Sequence, residues 1–364
     1  MLTLITLITL LLVVVFIYMQ NPKFGKNPNG DRLEIMKKSP RFKNGKFENT
    51  NFTPTITEGY SMLGVLYDQI FKSHPNLKPT KEIPSIKTDL LNLDRTENVI
   101  VWFGHSSYFM QLDGKRFLID PVFSGSASPV PGSVKSFKGS DIYTVNDFPN
   151  IDYLLISHDH YDHLDYETIK ALNNKVNTVI CGLGVGSHFE HWNYSTDKII
   201  EKDWNETIDL GNGIIIHTTP ARHFSGRSFS RNNTLWMSYV IESYNRKIYI
   251  GGDSGYDTHF KEIGDKYGPF DLAILENGQY NLAWEAIHLL PEQVLKAATD
   301  LKAKRLFPVH SSKFVLAMHP WNEPLNEVYK INQGEYNLDL VTPIIGEKVY
   351  VDDENQSFKT WWSE

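Results

Sequence analysis

Cysteine is all but absent from this chain of 364 residues, with Cys181 standing alone. That excludes an intrachain disulfide and any zinc cluster built on thiolates, so a metal would have to rest on the 13 histidines and on carboxylates. An excess of positive charge is absent as well. Lys and Arg total 36 against 43 Asp and Glu, a net charge of −7 with a pI near 6.0, which argues against a nucleic-acid binder. No repeat recurs in the 20–50-residue range, which removes solenoids and propellers. Core-forming residues are plentiful: 41% of the chain is apolar, with 18 Tyr, 20 Phe and 8 Trp, so wholesale disorder is excluded too.

Charge is missing altogether from residues 1–20 and concentrated just after them. Residues 21–48 carry eight basic side chains (Lys23, Lys26, Arg32, Lys37, Lys38, Arg41, Lys43, Lys46) against Asp31, Glu34 and Glu48. The run Leu2–Met19 is 18 residues long, about 27 Å as a helix and near one hydrocarbon thickness. No Lys or Arg precedes it, and no small-x-small cleavage pair follows in Tyr18-Met19-Gln20-Asn21-Pro22, so an uncleaved transmembrane anchor over 1–20 is expected rather than a signal peptide. The basic C-terminal flank places the following domain on the cytoplasmic side.

Residues 21–95 read as a basic tether and N-terminal extension, rich in Asn, Lys, Pro and Gly up to about residue 58. The spacing of Met62, Leu63, Val65, Leu66, Ile70 and Phe71 predicts a short helix packed on the domain. From residue 96 the texture changes to short strands with turns: 98–103, 108–112 and 116–119 are strand-like, and Asp113-Gly114 joins the last two as a hairpin. Further strands fit 154–157, 214–218, 236–243, 247–250, 272–276 and 305–309, with helices at 165–173 and 291–301. This is a mixed α/β domain over 96–352, its helices covering sheets, followed by a C-terminal tail over 353–364.

The densest chemistry follows the strand ending at Ser157, in Ser157-His158-Asp159-His160-Tyr161-Asp162-His163-Leu164-Asp165. One short loop can present three imidazoles and a carboxylate around a small volume, a ligand set that suits zinc. A lone histidine is most simply a satisfied core residue, but three with an aspartate inside six positions are not. Further ligands must come from other strand ends. His223 follows the turn Thr219-Pro220-Ala221-Arg222, Asp253 closes Ile248-Tyr249-Ile250-Gly251-Gly252, and His310 ends Leu306-Phe307-Pro308-Val309. The glycines before Asp253 would allow close backbone approach.

This order of ligands resembles the metallo-β-lactamase superfamily, which implies a four-layer αββα sandwich, here preceded by one N-terminal transmembrane helix. Within it, His105-Ser106-Ser107 after Trp102-Phe103-Gly104, Asp120-Pro121-Val122-Phe123-Ser124, Gly252-Asp253-Ser254-Gly255-Tyr256 and Gly268-Pro269-Phe270-Asp271-Leu272 resemble the branch containing N-acyl-phosphatidylethanolamine-hydrolysing phospholipase D. The resemblance runs from about Trp102 to Ala317. It implies two Zn2+ per chain: His158, His160 and His223 on one, Asp162, His163 and His310 on the other, with Asp253 bridging. A hydroxide between two cations is a nucleophile at neutral pH, so no Ser or Cys nucleophile is needed. Cys181 is then a core residue at a strand end.

The same resemblance implies a phosphodiesterase of the phospholipase D type acting on membrane phospholipid, with Asp162, Asp253 and His288 as catalytic residues and Tyr161 and His288 against the substrate. From position alone, Tyr161 could equally pack under the ligand loop. His288 could equally be a neighbour of the helix that Pro291 opens. His105 and Asp120 sit in strand-end loops and read equally as turn residues, as supports of ligands or as reactive groups. His74, His188, His191, His217, His259 and His319 carry no chemistry on this reading. Glu276-Asn277-Gly278-Gln279-Tyr280-Asn281 departs from that branch, which has a short apolar turn there, and an added carboxylate near an anionic substrate is unfavourable unless paired. Two other functions fit the sequence: a lactonase of the ascorbate-phosphate type, and a membrane-tethered scaffold without catalysis. The oligomeric state is not encoded in any feature of the sequence.

Overall fold

The computed structural model describes residues 2–363. Helices α1 (Leu2–Met19) and α2 (Gly30–Met36), a small hairpin of β1 (Phe42–Lys43) and β2 (Lys46–Phe47), and α3 (Met62–Phe71) precede the main sheets. The first half of the domain then runs β3 (Val99–Trp102), β4 (Tyr108–Leu112), β5 (Lys115–Ile119), β6 (Ile151–Ile156), α4 (Tyr166–Leu172), β7 (Val176–Gly182), α5 (Gly186–His191) and β8 (Ile199–Lys202). The second runs β9 (Thr207–Asp209), β10 (Ile214–Thr219), β11 (Ser238–Ser243), β12 (Arg246–Ile250), α6 (His259–Tyr267), β13 (Leu272–Glu276), α7 (Pro291–Asp300), β14 (Arg305–Val309), α8 (Glu323–Ile331), β15 (Asp339–Leu340) and β16 (Lys348–Tyr350).

Two mixed seven-stranded sheets result, in the orders β16-β3-β4-β5-β6-β7-β8 and β15-β14-β13-β12-β11-β10-β9. Strand alternation divides the apolar residues between faces. Ile100 and Trp102 of β3 join Ile216, Tyr239, Ile248 and Phe307 in the core between the sheets, while Val99 and Val101 face the other way, in the core that includes Ile169 of α4 and Phe189 of α5. On the second sheet, Val240, Tyr249 and Leu275 meet Phe260 of α6 and Val294 of α7. Sheet therefore packs on sheet, with helices over each outer face. In each sheet one half is parallel, β5 to β8 in the first and β12 to β15 in the second. Parallel strands bring their carboxyl ends to one edge, the usual place for a ligand in open α/β sheets.

The N-terminal reading needs correction. Among the described residues no helix is long and apolar enough to cross a membrane, so the expected single-pass anchor, with its domain on the cytoplasmic side, is withdrawn. At 1.5 Å per residue the 18 residues of α1 reach only about 27 Å, against about 30 Å of hydrocarbon. The end of α1 is instead fastened to the domain, where the Tyr18 hydroxyl and Lys23 Nζ both donate to the Pro129 carbonyl. Nor does the following segment hang free. Arg32 bridges Glu190 and Glu201, and Met36 and Phe47 enter the core between the sheets. Trp361 and Trp362, in the tail, are buried in that core as well. Helix α3 forms over the expected residues but none of them is buried: Met62, Val65 and Leu66 line a cavity, while Leu63, Ile70 and Phe71 are exposed.

One glycine sets how closely the sheets approach at the site. Gly252 has φ +61, and a Cβ there would lie 2.8 Å from Ser157 Cβ and 3.1 Å from the Met237 carbonyl. The left-handed backbone alone would cost Gly252→Ala about 1–2 kcal/mol. The variant is expected to melt several degrees below wild type in differential scanning calorimetry, and an unchanged Tm would show that the turn gives way.

Candidate metal centre

The residues singled out in the sequence converge at the shared edge. The loop His158–His163 leaves β6, Asp253 lies three residues beyond β12, and His310 follows β14 directly, all at carboxyl ends of parallel strands. His223 arrives from the turn after β10. His158 Nε2 stands 2.9 Å from His160 Nδ1, and His223 Nε2 stands 3.3 Å from the same atom. Nitrogens held at 2.0–2.1 Å by one tetrahedral zinc would be about 3.3 Å apart, so this trio already outlines one face of such a site. A second group joins Asp162, His163 and His310 with His105.

Asp253 divides its carboxylate between the two groups. Oδ2 lies 3.9 Å from His158 Nε2 and 3.8 Å from His223 Nε2, whereas Oδ1 lies 3.2 Å from both His163 Nε2 and His310 Nδ1. Buried atoms left without a hydrogen-bond partner cluster here: His163 Nε2, Asp253 Oδ1 and His105 Nδ1. Unpaired polar atoms are costly in a protein interior, and metal ions would supply the missing partner. Burial, helped by neighbouring imidazoles and opposed by Asp253, holds His158, His223 and His310 well below the usual imidazole range, whereas Asp253, Asp162 and Asp120 outweigh burial at His163 and hold it well above that range. Burial would raise Asp162 and Asp253, but His163 and the neighbouring imidazoles outweigh it and hold both well below the usual carboxylate range.

The supports are equally ordered. His163 Nδ1 donates to Asp120 Oδ2 at 2.8 Å, and Asp120 accepts in turn from Ser157 N and Ser157 Oγ at 2.8 and 2.6 Å. His223 Nδ1 donates to the Ile287 carbonyl at 2.9 Å. Such bonds fix which ring nitrogen faces the metal. His105 Nε2 lies 2.9 Å from Asp162 Oδ2, and its ring packs 4.0 Å from that of His310. His105, Asp120 and His310 all have positive φ, at 54°, 42° and 67°. Strain of this kind persists only where surrounding contacts impose it.

A cavity of about 370 Å³ opens onto the cluster. His160, Asp162, Asp253, His288 and His310 line its floor, and Met62, Val65 and Leu66 of α3 with Trp284, Ile287 and Leu316 form apolar walls. His288 thus joins the ligands. Tyr161 does not line this cavity: its hydroxyl donates to the Arg227 carbonyl, its ring lies under the Arg227 guanidinium, and burial pushes it up to about 12. Two of the histidines given no chemistry hold structure. His188 Nε2 lies 3.1 Å from Asp159 Oδ2, and His319 Nε2 accepts from Gln279 N.

Glu276 went unrecognised as a site residue. It ends β13, fully buried, with His288 Nδ1 2.6 Å from its Oε2. Burial, with Asp253 nearby, pushes Glu276 up to about 7 against the pull of His288. Burial alone would lower His288, but Glu276 and Asp253 outweigh it and raise it to about 9.

Comparison with known proteins agrees with this geometry. A family model described as beta-lactamase superfamily domain matches residues 115–311, more than half the chain and all seven candidate ligands. The chain belongs to the beta-lactamase superfamily. Within it, the chain is 35% identical over 319 residues to the uncharacterized protein Rv0906 of Mycobacterium tuberculosis, covering 86% of this chain and 85% of that one. It is 28% identical over 335 residues to N-acyl-phosphatidylethanolamine-hydrolyzing phospholipase D 1 of Caenorhabditis elegans, covering 84% and 91%. Among solved structures, Igni18, a metallo hydrolase of Ignicoccus hospitalis, shares the fold with a TM-score of 0.54 at 20% identity, over 70% of this chain and 98% of that one. Superfamily membership and the His/Asp clusters make this chain a metal-dependent hydrolase.

Metal content tests the arrangement. After loading with zinc, Asp253→Ala is expected to retain at least one ion fewer per chain than wild type by elemental analysis. Asp120→Asn should keep the count at saturation while weakening affinity about 10–100-fold in chelator competition. Wild-type metal content and affinity in both variants would overturn the assignment.

Proposed function

We propose that the protein is a dinuclear zinc hydrolase of the phospholipase D type, cleaving the phosphodiester of N-acyl-phosphatidylethanolamine-like lipids of the membrane. The observation that carries this reading is the cavity, whose apolar walls end at the His/Asp cluster. A lipid needs both at once, an apolar trough for acyl chain and a polar floor for phosphodiester. The relative from C. elegans, whose name states that activity, supports the same reading across most of both chains.

His158, His160 and His223 would hold one cation, Asp162, His163 and His310 the other, and Asp253 both. Bound there, the ions would supply activated water and stabilise negative charge on the phosphoryl oxygens. The chain's own groups would do the rest. Met62, Val65 and Leu66 of α3 would order the acyl chain and exclude water from the floor. His288 stands at the floor with Nδ1 engaged by Glu276, so its Nε2 edge is the one that would meet the head-group oxygen and hand it a proton as the P–O bond breaks. Tyr161, held to Arg227, would act on the substrate only through the loop that carries His160 and Asp162. The gathering of seven candidate ligands around one small volume, six of them buried, weighs against a scaffold without catalysis.

The test is release of phosphatidic acid from an N-acylated phosphatidylethanolamine by zinc-loaded protein, beside a panel of lactones. Phosphatidic acid is expected, and stripping the metal should abolish it. Lactone opening without phosphatidic acid would leave the metal site standing and replace the lipid by a lactone.

A further inference from the structure

We infer that Glu276 is a positioning residue for His288, and that it does so by tying three segments of the site to one carboxylate. The inference rests on the proposed hydrolysis for its catalytic consequence but not for its geometry. Glu276 Oε1 accepts from Ser254 N at 2.8 Å and from Leu289 N at 3.2 Å. Oε2 accepts from His288 Nδ1 at 2.6 Å. Ser254 follows the bridging Asp253, Leu289 follows His288, and Glu276 itself ends β13. One buried side chain therefore sets the spacing between the metal-bridging turn and the loop of His288.

The division of labour between the two oxygens is what makes the role specific. A carboxylate is all acceptor, so it serves two backbone N–H groups with one oxygen and an imidazole N–H with the other. That holds the ring by its Nδ1 edge and leaves Nε2 to the cavity that His288 lines. It also answers the objection that an extra carboxylate repels an anionic substrate, since Glu276 is engaged by His288 and closed off from solvent. Glutamine has the same shape but only one acceptor oxygen. Two buried backbone donors outweigh one, so in Glu276→Gln the amide oxygen should stay on Ser254 and Leu289. The amide NH2 then faces His288 Nδ1, which must give up its hydrogen to accept.

Nitrogen-15 NMR of histidine-labelled, zinc-loaded full-length protein reads this directly. In wild type His288 Nδ1 is expected to carry a hydrogen, and in Glu276→Gln it is expected to be bare, with zinc content equal to wild type. On N-acyl-phosphatidylethanolamine, Glu276→Gln and His288→Ala should each lower kcat by about 10²–10⁴-fold, the range for losing a positioned proton donor. The double variant should be no worse than His288→Ala, because residues acting as a unit are not additive. A bare Nδ1 in wild type, a hydrogen retained on Nδ1 in Glu276→Gln, or multiplied kinetic losses would each overturn the inference. So would a loss of zinc in Glu276→Gln, which would make Glu276 a ligand. If wild type releases no phosphatidic acid, the proposed substrate fails while the NMR result still decides the role of Glu276.

Discussion

Each half of the candidate metal cluster draws its residues from both sheets, and everything else at the site depends on that. His158 and His160 come from the loop after β6 in the first sheet, but His223 follows β10 in the second; Asp162 and His163 belong to the first, but His310 follows β14 in the second. Neither group can form within one sheet. The sandwich must dock in one register, and the close-packed core of Trp102, Tyr239, Ile248 and Phe307 resists sliding because side chains there interdigitate. Gly252 lets Asp253 reach the seam, where a Cβ would meet Ser157 from the other sheet.

Bringing imidazoles and carboxylates to that seam without water would be prohibitive if they were unpaired. The structure meets the cost in two ways. Away from the floor, the supporting carboxylates have partners: Asp120 on His163 and Ser157, Glu276 on His288 and two backbone N–H groups. At the floor, atoms without partners remain, and they belong to candidate metal ligands and their neighbour His105. That contrast separates atoms that orient from atoms that wait for an ion.

How much of this could be read from sequence follows from how far each feature reaches along the chain. The His158–His163 loop was legible because its ligands are contiguous, and His223, Asp253 and His310 because each closes a run of apolar strand residues. The strands 108–112, 272–276 and 305–309 were legible for the same reason. Glu276 and His288 lie twelve residues apart, separated by a loop whose path no periodicity encodes, so their pairing appeared only in three dimensions. The edge strand β8, Ile-Ile-Glu-Lys, is too short and too polar to stand out. Helix α3 shows the limit of apolar spacing: of the residues that would pack on a core, Met62, Val65 and Leu66 line a cavity and Leu63, Ile70 and Phe71 are exposed, and spacing alone carries no sign of which. At the N-terminus an uncharged apolar run with a basic flank reads as a span from the sequence, but among the described residues no helix is long and apolar enough to cross a membrane.

The candidate ligands and one side of the cavity wall come from different parts of the chain. All seven candidate ligands, with Glu276 and His288, lie inside residues 115–311, the stretch that matches the superfamily. The cavity walls draw on Thr55, Ile56, Met62, Val65, Leu66, Gln69 and Leu316 from outside it and on Phe224, Gln279, Trp284 and Ile287 from inside it. The strand ends that carry the ligands are held by two sheets and cannot shift without breaking the cluster. Before residue 72, Met36 and Phe47 are anchored in the core, whereas the stretch that reaches the cavity is held by hydrogen bonds such as Asn49 on His223 N and O and Thr57 N on the Ala283 carbonyl. A wall mounted in that way can change its side chains without disturbing the metals, because loops tolerate substitution that a sheet core does not. The candidate metal cluster is thus combined with an N-terminal segment whose Thr55, Ile56, Met62, Val65, Leu66 and Gln69 line the cavity on one side.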